Sequence, residues 1–344
     1  MKVDLKSMTK EELSSYIKSI GEPAFRAKQI YKWLHRGVDT FAEMTDLPKS
    51  LQARLEQECF ITTLRIFKRF RSSLDETTKY LFSLADDNII ETVAMKYHHG
   101  YSLCISSQVG CRMGCAFCQS TKNGLVRSLT AGEILDQILK VQRDLDIRIS
   151  NVVMMGIGEP LDNFDEVVRF LKNVNDPDGI NIGYRHISLS TCGLIPGIAK
   201  LAELSLPITL SISLHATTDQ TRSEMMPVNR KYNLDLLLDA CRKYQAQTGR
   251  RISFEYAVIA GVNDQPADAK RLAEILKGLL CHVNLIPVNP IREGGYQPPE
   301  KKGVLRFQEQ LTKLGLNATI RRTLGSDISA SCGQLRHQNS KKEV

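Results

Sequence analysis

No stretch of about 18 consecutive apolar residues occurs in this sequence, which excludes a membrane-spanning helix of ordinary length. The opening Met1-Lys-Val-Asp-Leu-Lys runs into polar sequence without the apolar core of a signal peptide, so a cytoplasmic location is expected. Nine cysteines are present, yet their spacing does not suggest a disulfide framework. Internal repeats are absent, and so is low complexity apart from a short polar tail after Arg336. That excludes solenoids and disordered arrays. What remains is an ordinary globular composition, 42% hydrophobic and 24% charged. Its 344 residues suffice for one large domain with an appendage, or for two domains.

Acidic residues are too few to balance the bases. The formal charge is +8 and the pI about 9.0. Residues 1–75 hold 14 Lys and Arg against 10 Asp and Glu, a net +4, which is half the excess in about a fifth of the chain. Within them, Arg65-Ile-Phe-Lys-Arg-Phe-Arg71 interleaves bases with two aromatics. Such a stretch can supply phosphate contacts and base stacking for RNA. It can equally be a solvated edge strand or helix face with Phe67 and Phe70 in the core. Basic excess speaks to association and not to chemistry.

Chemistry is concentrated in Cys111-Arg-Met-Gly-Cys115-Ala-Phe-Cys118, three cysteines within eight residues. The β-prone run 101–106 precedes it and a well-capped helix follows, so the loop is expected at the end of a strand. Disulfides among the three are disfavoured by the Cα separation and direction that a bridge needs. A metal or cluster is the natural occupant. Structural zinc needs four ligands, whereas three cysteines on a four-iron cube leave one iron open. A zinc loop would have to borrow a ligand from elsewhere. The nearest downstream histidine is His186, and closed zinc sites usually carry paired ligand spacings.

The pattern around this loop changes along the chain. Residues 1–60 read as helical. Thr9 and Glu12 form a capping box before an apolar face of Leu13, Tyr16, Ile17 and Ile20. Helices are expected over 25–36 and 49–58, with Trp33 as a core anchor. A hairpin is expected from 79–85 to 89–97 across Asp86-Asp87-Asn88. After the loop, Thr130 and Glu133 cap a helix whose buried stripe is Ile134, Leu135, Ile138, Val141 and Leu145. Strand-like runs at 152–156, 186–191, 208–214, 252–259, 283–288 and 318–322 alternate with helical stretches at 164–173, 198–204, 234–247, 266–277 and 302–314. Repeating βα units with buried parallel strands imply a barrel or an open α/β sheet, with ligands at the carboxyl ends of the strands. Polar residues recur there: Gly156-Ile-Gly158-Glu159-Pro160, Ser190-Thr-Cys-Gly193, Ser213-Leu-His215 and Asn289. Each is weak alone; their recurrence makes a pocket credible.

The C-x3-C-x2-C loop, with Phe117 before its third cysteine, resembles the signature of the radical S-adenosylmethionine superfamily. Four further motifs narrow the likeness. They are Ile90-Glu91-Thr-Val93, Cys104-Ile-Ser-Ser-Gln-Val-Gly-Cys111, Gly158-Glu159-Pro160-Leu161-Asp-Asn163, and Gly325-Ser-Asp-Ile-Ser-Ala-Ser-Cys332-Gly-Gln-Leu335. Together they resemble the dual-specificity adenine-C2 methyltransferases of 23S ribosomal RNA and transfer RNA, over nearly the whole chain. A sister branch methylates carbon 8 of the same ribosomal adenosine and tends to have alanine after Gly-Glu. Pro160 here favours carbon 2, and Cys192 points the same way. Two departures from the family pattern, Ile157 within Gly-Ile-Gly and Ser331 before the cysteine, remove no functional atom.

The resemblance implies an α/β fold, a partial (β/α)6 radical S-adenosylmethionine barrel. Its parts would be a helical, RNA-binding accessory domain over 1–75, a β-hairpin extension over 76–97, a core over 98–335 ending in a catalytic-cysteine loop, and a polar tail over 336–344. It assigns Cys111, Cys115 and Cys118 to a 4Fe-4S cluster. Gly158, Glu159, Ser190, Ser213, Leu214, His215 and Asn289 would contact S-adenosylmethionine. Cys332 would carry the methyl group, Cys104 would resolve the adduct through a transient disulfide, and Glu91 would accept a proton. Adenine carbon 2 is electron-poor, so direct transfer from a sulfonium is unfavourable, while a thiolate accepts the methyl readily. A second S-adenosylmethionine would then supply the radical that activates that methyl. The implied substrates are the peptidyl-transferase-centre adenosine of 23S rRNA and adenosine 37 of tRNAs. A monomer is expected, served by a low-potential donor such as flavodoxin or ferredoxin. Cys59, Cys241 and Cys281 read as inert buried thiols. Two other classes fit the residues alone: a radical enzyme acting on a small molecule or peptide, and a zinc-bound RNA-binding module.

Overall fold

The computed structural model describes residues 2–290 and 295–335, together with the backbone of the two-residue strand Gln338–Asn339. Three amphipathic helices come first: α1 (Lys10–Ser19), α2 (Ala24–His35) and α3 (Lys49–Glu58). They are framed by a two-strand parallel pair, β1 (Val3–Asp4) and β2 (Cys59–Phe60). The Thr9 hydroxyl accepts from the Glu12 N–H at 3.2 Å, and the Glu12 carboxylate accepts from the Thr9 N–H at 2.8 Å. These helices bury their own core, with Leu13, Ile17, Ile30 and Leu55 fully enclosed. Trp33 only lies against that core. Its indole N–H donates to Asp46 at 2.6 Å, because the ring sits on the outer side of α2.

Then the period changes from helix to strand. β3 (Arg65–Arg71), β4 (Thr78–Ser83) and β5 (Asn88–Tyr97) form an antiparallel meander, and β5 pairs with β6 (Gly100–Cys104). β4 and β5 are the strands expected across Asp86-Asp87-Asn88. The sheet begins earlier than expected, however, since β3 pairs with β4 and residues 65–71 lie in it. β3 is the edge strand, with Phe67 48% exposed and Phe70 half-buried, so its aromatics are not core residues.

β7 (Gln108–Gly110) and β8 (Leu125–Ser128) form a short ribbon around the cysteine loop. Thereafter helices and strands alternate: α4 (Ala131–Leu145), β9 (Ile149–Met154), α5 (Phe164–Asn175), β10 (Ile187–Thr191), α6 (Ile195–Glu203) and β11 (Thr209–Ser213). They continue with α7 (Asp219–Met225), α8 (Leu234–Thr248), β12 (Ile252–Val258), α9 (Pro266–Ile275), β13 (Cys281–Pro287), α10 (Lys301–Lys313) and β14 (Ala318–Ile320). Of these helices only α7 was not anticipated, being too short to show a period. Finally β15 (Gln338–Asn339) pairs antiparallel with the start of β5; the rest of the 336–344 tail lies outside the described residues.

The main sheet runs β14-β13-β12-β11-β10-β9-β6-β5-β4-β3, and every pair from β6 to β14 is parallel. This is the expected partial barrel, β6 and β9 to β13, with β14 added at its edge. On the face that packs against the helices, Leu189, Leu210, Ile212, Phe254 and Tyr256 are all fully buried. Because β6 and β9 to β14 all run parallel, their carboxyl ends lie at the same end of the sheet. The polar strand-end residues therefore share one rim.

Candidate active site

The cysteine loop is closed at its base by backbone. The Cys111 N–H donates to the Gly124 carbonyl at 2.9 Å, continuing the β7–β8 ribbon. Gly110 makes this possible: its φ is +74°, and a Cβ there would lie 2.0 Å from the Gly124 oxygen. Further along, the Ala116 N–H donates to Met225 and the Cys118 N–H to Cys115. Cys111, Cys115 and Cys118 thus line one wall of a cavity of about 960 Å³ of empty space, which includes open solvent.

The strand ends make the opposite walls. Gly156, Gly158, Glu159, Ser190, Cys192, Ser213, His215 and Asn289 all line the same cavity. Gly158, at φ +107°, is pressed against Gln108, where a Cβ would meet side-chain atoms at 2.6 Å. The Glu159 carboxylate is 4% exposed. It accepts from the Cys192 N–H at 2.8 Å and the Leu161 N–H at 3.0 Å, while burial holds its pKa above the usual carboxylate range. His215 has φ +57°, and its Nδ1 accepts from the Ala257 N–H at 2.8 Å. Burial, with a smaller contribution from Arg222, pulls its pKa down to about 3, so the ring is neutral with its proton on Nε2. Phe117 packs edge-on against that ring, 4.7 Å between centroids. Leu214 is fully buried and is not on the wall; its N–H donates to the Glu255 carbonyl.

A third wall comes from the C-terminal loop. Cys332 and Gly333 line the main cavity, and Cys332 and Cys104 together line a smaller one beside it. The loop is docked on the cysteine loop: the Gln119 N–H donates to Gly333 O at 2.7 Å, the Ser120 hydroxyl to Leu335 O at 2.7 Å, and Asn289 Nδ2 to Cys332 O at 3.0 Å. Its other side is pinned to the β3–β4 turn, where Asp327 accepts from the Ser72 hydroxyl at 2.7 Å and Asp75 accepts from the Gly325 N–H at 3.0 Å. Cys104 is 6% exposed, and burial pushes its thiol up to about 12. Glu91 lies on β5, 2% exposed and off the cavity wall, with the Lys79 ammonium 3.5 Å from its carboxylate.

Comparison with known proteins decides the family. The ribosomal RNA large subunit methyltransferase N-terminal domain matches residues 3–61, and the radical SAM superfamily matches residues 105–273. A probable dual-specificity RNA methyltransferase RlmN from Alkaliphilus oremlandii is 55% identical over 98% of both chains. The protein of the same description from Clostridioides difficile is 49% identical, again over 98% of both. The crystal structure of a radical SAM methyltransferase from Sphaerobacter thermophilus superposes with a TM-score of 0.93 at 42% identity, covering 97% of this chain and 99% of that one. The chain belongs to the RlmN family of radical SAM RNA methyltransferases.

Membership in the radical SAM superfamily brings a 4Fe-4S cluster and S-adenosylmethionine, and the RlmN family acts on RNA. The donor set fits the cluster. Burial pushes Cys111 up to about 12 and raises Cys115 and Cys118, so bare thiolates there are unfavourable and a cationic iron centre compensates them. Among the described residues no three His, Cys, Asp or Glu side chains converge on a single metal ion. A multi-iron cluster asks for thiolates spread one per iron.

Several residues around this RlmN-family site escaped the sequence reading. Arg321, just past β14, lines both cavities, and its Nη1 lies 3.3 Å from the Met155 sulfur. The negative charge that the adjacent Cys332 sulfur carries when ionised, and that of Glu255 less strongly, hold its guanidinium above its ordinary range against burial. The strand-end rule that selected Ser190 and Asn289 would have found it. Arg222 carried no such signal. It is fully buried and donates to the carbonyls of Leu214, Cys192 and Ser213 and to Asn229, so it clamps the ends of β10 and β11. Cys59 and Cys241 are buried, the Cys59 sulfur 2.9 Å from the Tyr16 hydroxyl, and Cys281 is half-buried.

Proposed function

We propose that this chain methylates carbon 2 of an adenosine in the peptidyl-transferase centre of 23S rRNA and of adenosine 37 in tRNAs. The observation that carries this reading is a separate pair of thiols, Cys104 and Cys332, on one small cavity beside the cavity lined by Cys111, Cys115 and Cys118. Cluster chemistry alone needs no such pair. Pro160 and Cys192 favour carbon 2 over carbon 8.

Cys111, Cys115 and Cys118 would hold the cluster, and Gly158, Glu159, Ser190, Ser213, Leu214, His215 and Asn289 would hold S-adenosylmethionine, Leu214 through its backbone. When bound, these groups supply a methyl group and, by one-electron cleavage, a hydrogen-abstracting radical. Two S-adenosylmethionine molecules serve each turnover. Glu159 is suited to accept from the ammonium of the amino acid moiety, and neutral His215 offers an N–H donor. The Cys332 thiolate would take up the methyl group; once one hydrogen atom is taken from it, its carbon would bond to carbon 2 of the adenine, and the one unpaired electron would leave the adduct for the oxidised cluster. Glu91 accepts the ring proton. The Cys104 thiolate then attacks the Cys332 sulfur: the S–S bond forms, the S–C bond breaks, and its electron pair leaves with the carbon, which takes up a proton from solvent to become the methyl group. Burial opposes ionisation of Cys104, so this step is favoured when the loop carrying Cys332 opens or when Arg321 faces the thiol. Residues 1–75, which include β3, would bind the RNA. A flavodoxin or ferredoxin would donate electrons, and the enzyme would act as a cytoplasmic monomer.

The test is Cys104→Ala. With labelled RNA it should accumulate a covalent protein–RNA species joined through Cys332, resolved on a denaturing gel and located by mass mapping. Cys332→Ala should give neither adduct nor 2-methyladenosine. Carbon 2 methylation by Cys332→Ala, or normal turnover by Cys104→Ala, would reject the mechanism.

A further inference from the structure

Lys79 lies on β4, opposite Val93 of β5 and Phe70 of β3. Its side chain is only 10% exposed. An ammonium so far from water is costly unless other groups compensate it. Three do. The Glu91 carboxylate lies 3.5 Å away, the Ser329 carbonyl accepts a hydrogen bond at 3.2 Å, and the Phe70 ring centroid is 5.2 Å away. Ser329 stands three residues before Cys332, with φ +50°. That is an uncommon conformation for a residue other than glycine, and it persists only where neighbours over-determine it.

We propose that Lys79 is a positioning residue for the methyl transfer: it holds the Glu91 carboxylate charged and fixed relative to the loop that carries Cys332. This rests on the reading of Glu91 as proton acceptor. The step served is a proton transfer. The ring C–H bond at carbon 2 breaks, the proton passes to a Glu91 oxygen, and the electron pair stays with the ring. Lys79 neither gains nor loses a proton. Its first contribution is electrostatic, since an ammonium beside a buried carboxylate favours the charged form, the form that can take up a proton. The second is geometric. One ammonium bonded to Ser329 and paired with Glu91 sets the distance between the base and the segment where the adduct forms. Sequence spacing gives no hint of this, because Lys79 and Ser329 are 250 positions apart.

Lys79→Met, Lys79→Arg and Glu91→Gln should be compared with the wild type in the full chain with reconstituted cluster. Three quantities are followed: methylation of Cys332 before RNA is added, covalent adduct after RNA is added, and release of methylated RNA. The first breaks no ring C–H bond and so makes no call on Glu91, and it reports a folded, loaded site. For Lys79→Met, Cys332 methylation should stay within about twofold of wild type. Release should fall at least about tenfold and adduct should accumulate, as for Glu91→Gln. Lys79→Arg keeps the charge and should recover release to within about threefold of wild type. Release at the wild-type rate by Lys79→Met overturns the proposal. So does loss of Cys332 methylation in that variant, which makes the lysine a loop anchor alone, and so does an arginine variant as impaired as the methionine one. Normal turnover by Glu91→Gln instead removes the underlying assignment of the base.

Discussion

His35, on α2, is buried among neighbours that do not welcome a charge. Its Nδ1 has no hydrogen-bond partner among the described residues, Tyr31 lies 4.2 Å away ring to ring, and a Cβ on Gly179 would approach Nδ1 to 2.5 Å. Burial, then the charge of Lys6, pulls its pKa down to about 3. The unfolded chain, with a histidine pKa near 6.5, therefore binds a proton that the folded chain refuses. This contribution to stability is complete above about pH 6.5 and is lost as the pH falls towards 3. His215 contributes with the same sign. A thermal melt series should show wild-type Tm falling steadily below pH 6.5. His35→Phe, which removes one titration, should fall less steeply. Parallel curves for the two proteins would contradict the assignment. Nothing in the sequence marks His35 as buried and unpartnered; its neighbour Gly179 is 144 positions away.

At the scale of an element, β3 is a basic edge strand with an exposed aromatic, Phe67. Bases on an edge also block pairing with other chains, so the strand has a structural use besides RNA. Its cations are not equivalent. Arg69 is tied to Asp144 at 2.7 Å, and the Tyr80 hydroxyl donates to the same carboxylate at 2.6 Å, which secures β3 and β4 to α4. Lys68 lies 5.0 Å from the Phe70 ring centroid on a strand whose residues are mostly exposed. Replacing Lys68 and Arg71 by alanine should weaken RNA binding. It should flatten the log–log salt dependence by up to about 0.9 per lost contact on duplex and about 0.7 on single strands. Arg69→Ala should lower Tm more than it changes that slope. Fluorescence anisotropy across a salt series distinguishes them, and an unchanged slope in the Lys68/Arg71 variant returns this strand to a purely structural role.

The molecule as a whole is joined by a buried ion pair. Lys6 Nζ lies 2.7 Å from Asp136 Oδ1 on α4, both side chains are fully buried, and the Leu64 N–H donates to the other Asp136 oxygen at 2.7 Å. Around it the Gly132 N–H donates to Ser7 at 2.9 Å and Asn173 Nδ2 to the Met8 carbonyl at 3.0 Å. The helical unit is thus held against the barrel through a desolvated contact. Lys6→Met leaves Asp136 buried without its cation, and should cost about 3–5 kcal/mol in urea denaturation. The double variant Lys6→Met with Asp136→Leu should recover a good part of that loss, since two apolar groups leave no stranded charge. A single-variant cost under about 1 kcal/mol would show that water or another cation reaches Asp136.

Local and periodic features were legible in the residues alone. Capping boxes at Thr9 and Thr130, the stripe on α4 and the seven parallel strands follow from relations between residues a few positions apart, and backbone geometry enforces those relations. The cysteine spacing and the four motifs carried the family, because chemistry at a metal loop restricts residue types within eight positions. The meeting of distant segments came from packing. It set Lys79 between Glu91 and Ser329, Asp327 against Ser72, Arg321 beside Cys332, and Arg222 under two strand ends. These contacts join side chains separated by up to 255 positions. Their partners are selected by the distance and desolvation that the packed fold imposes, and neither quantity exists along an extended chain.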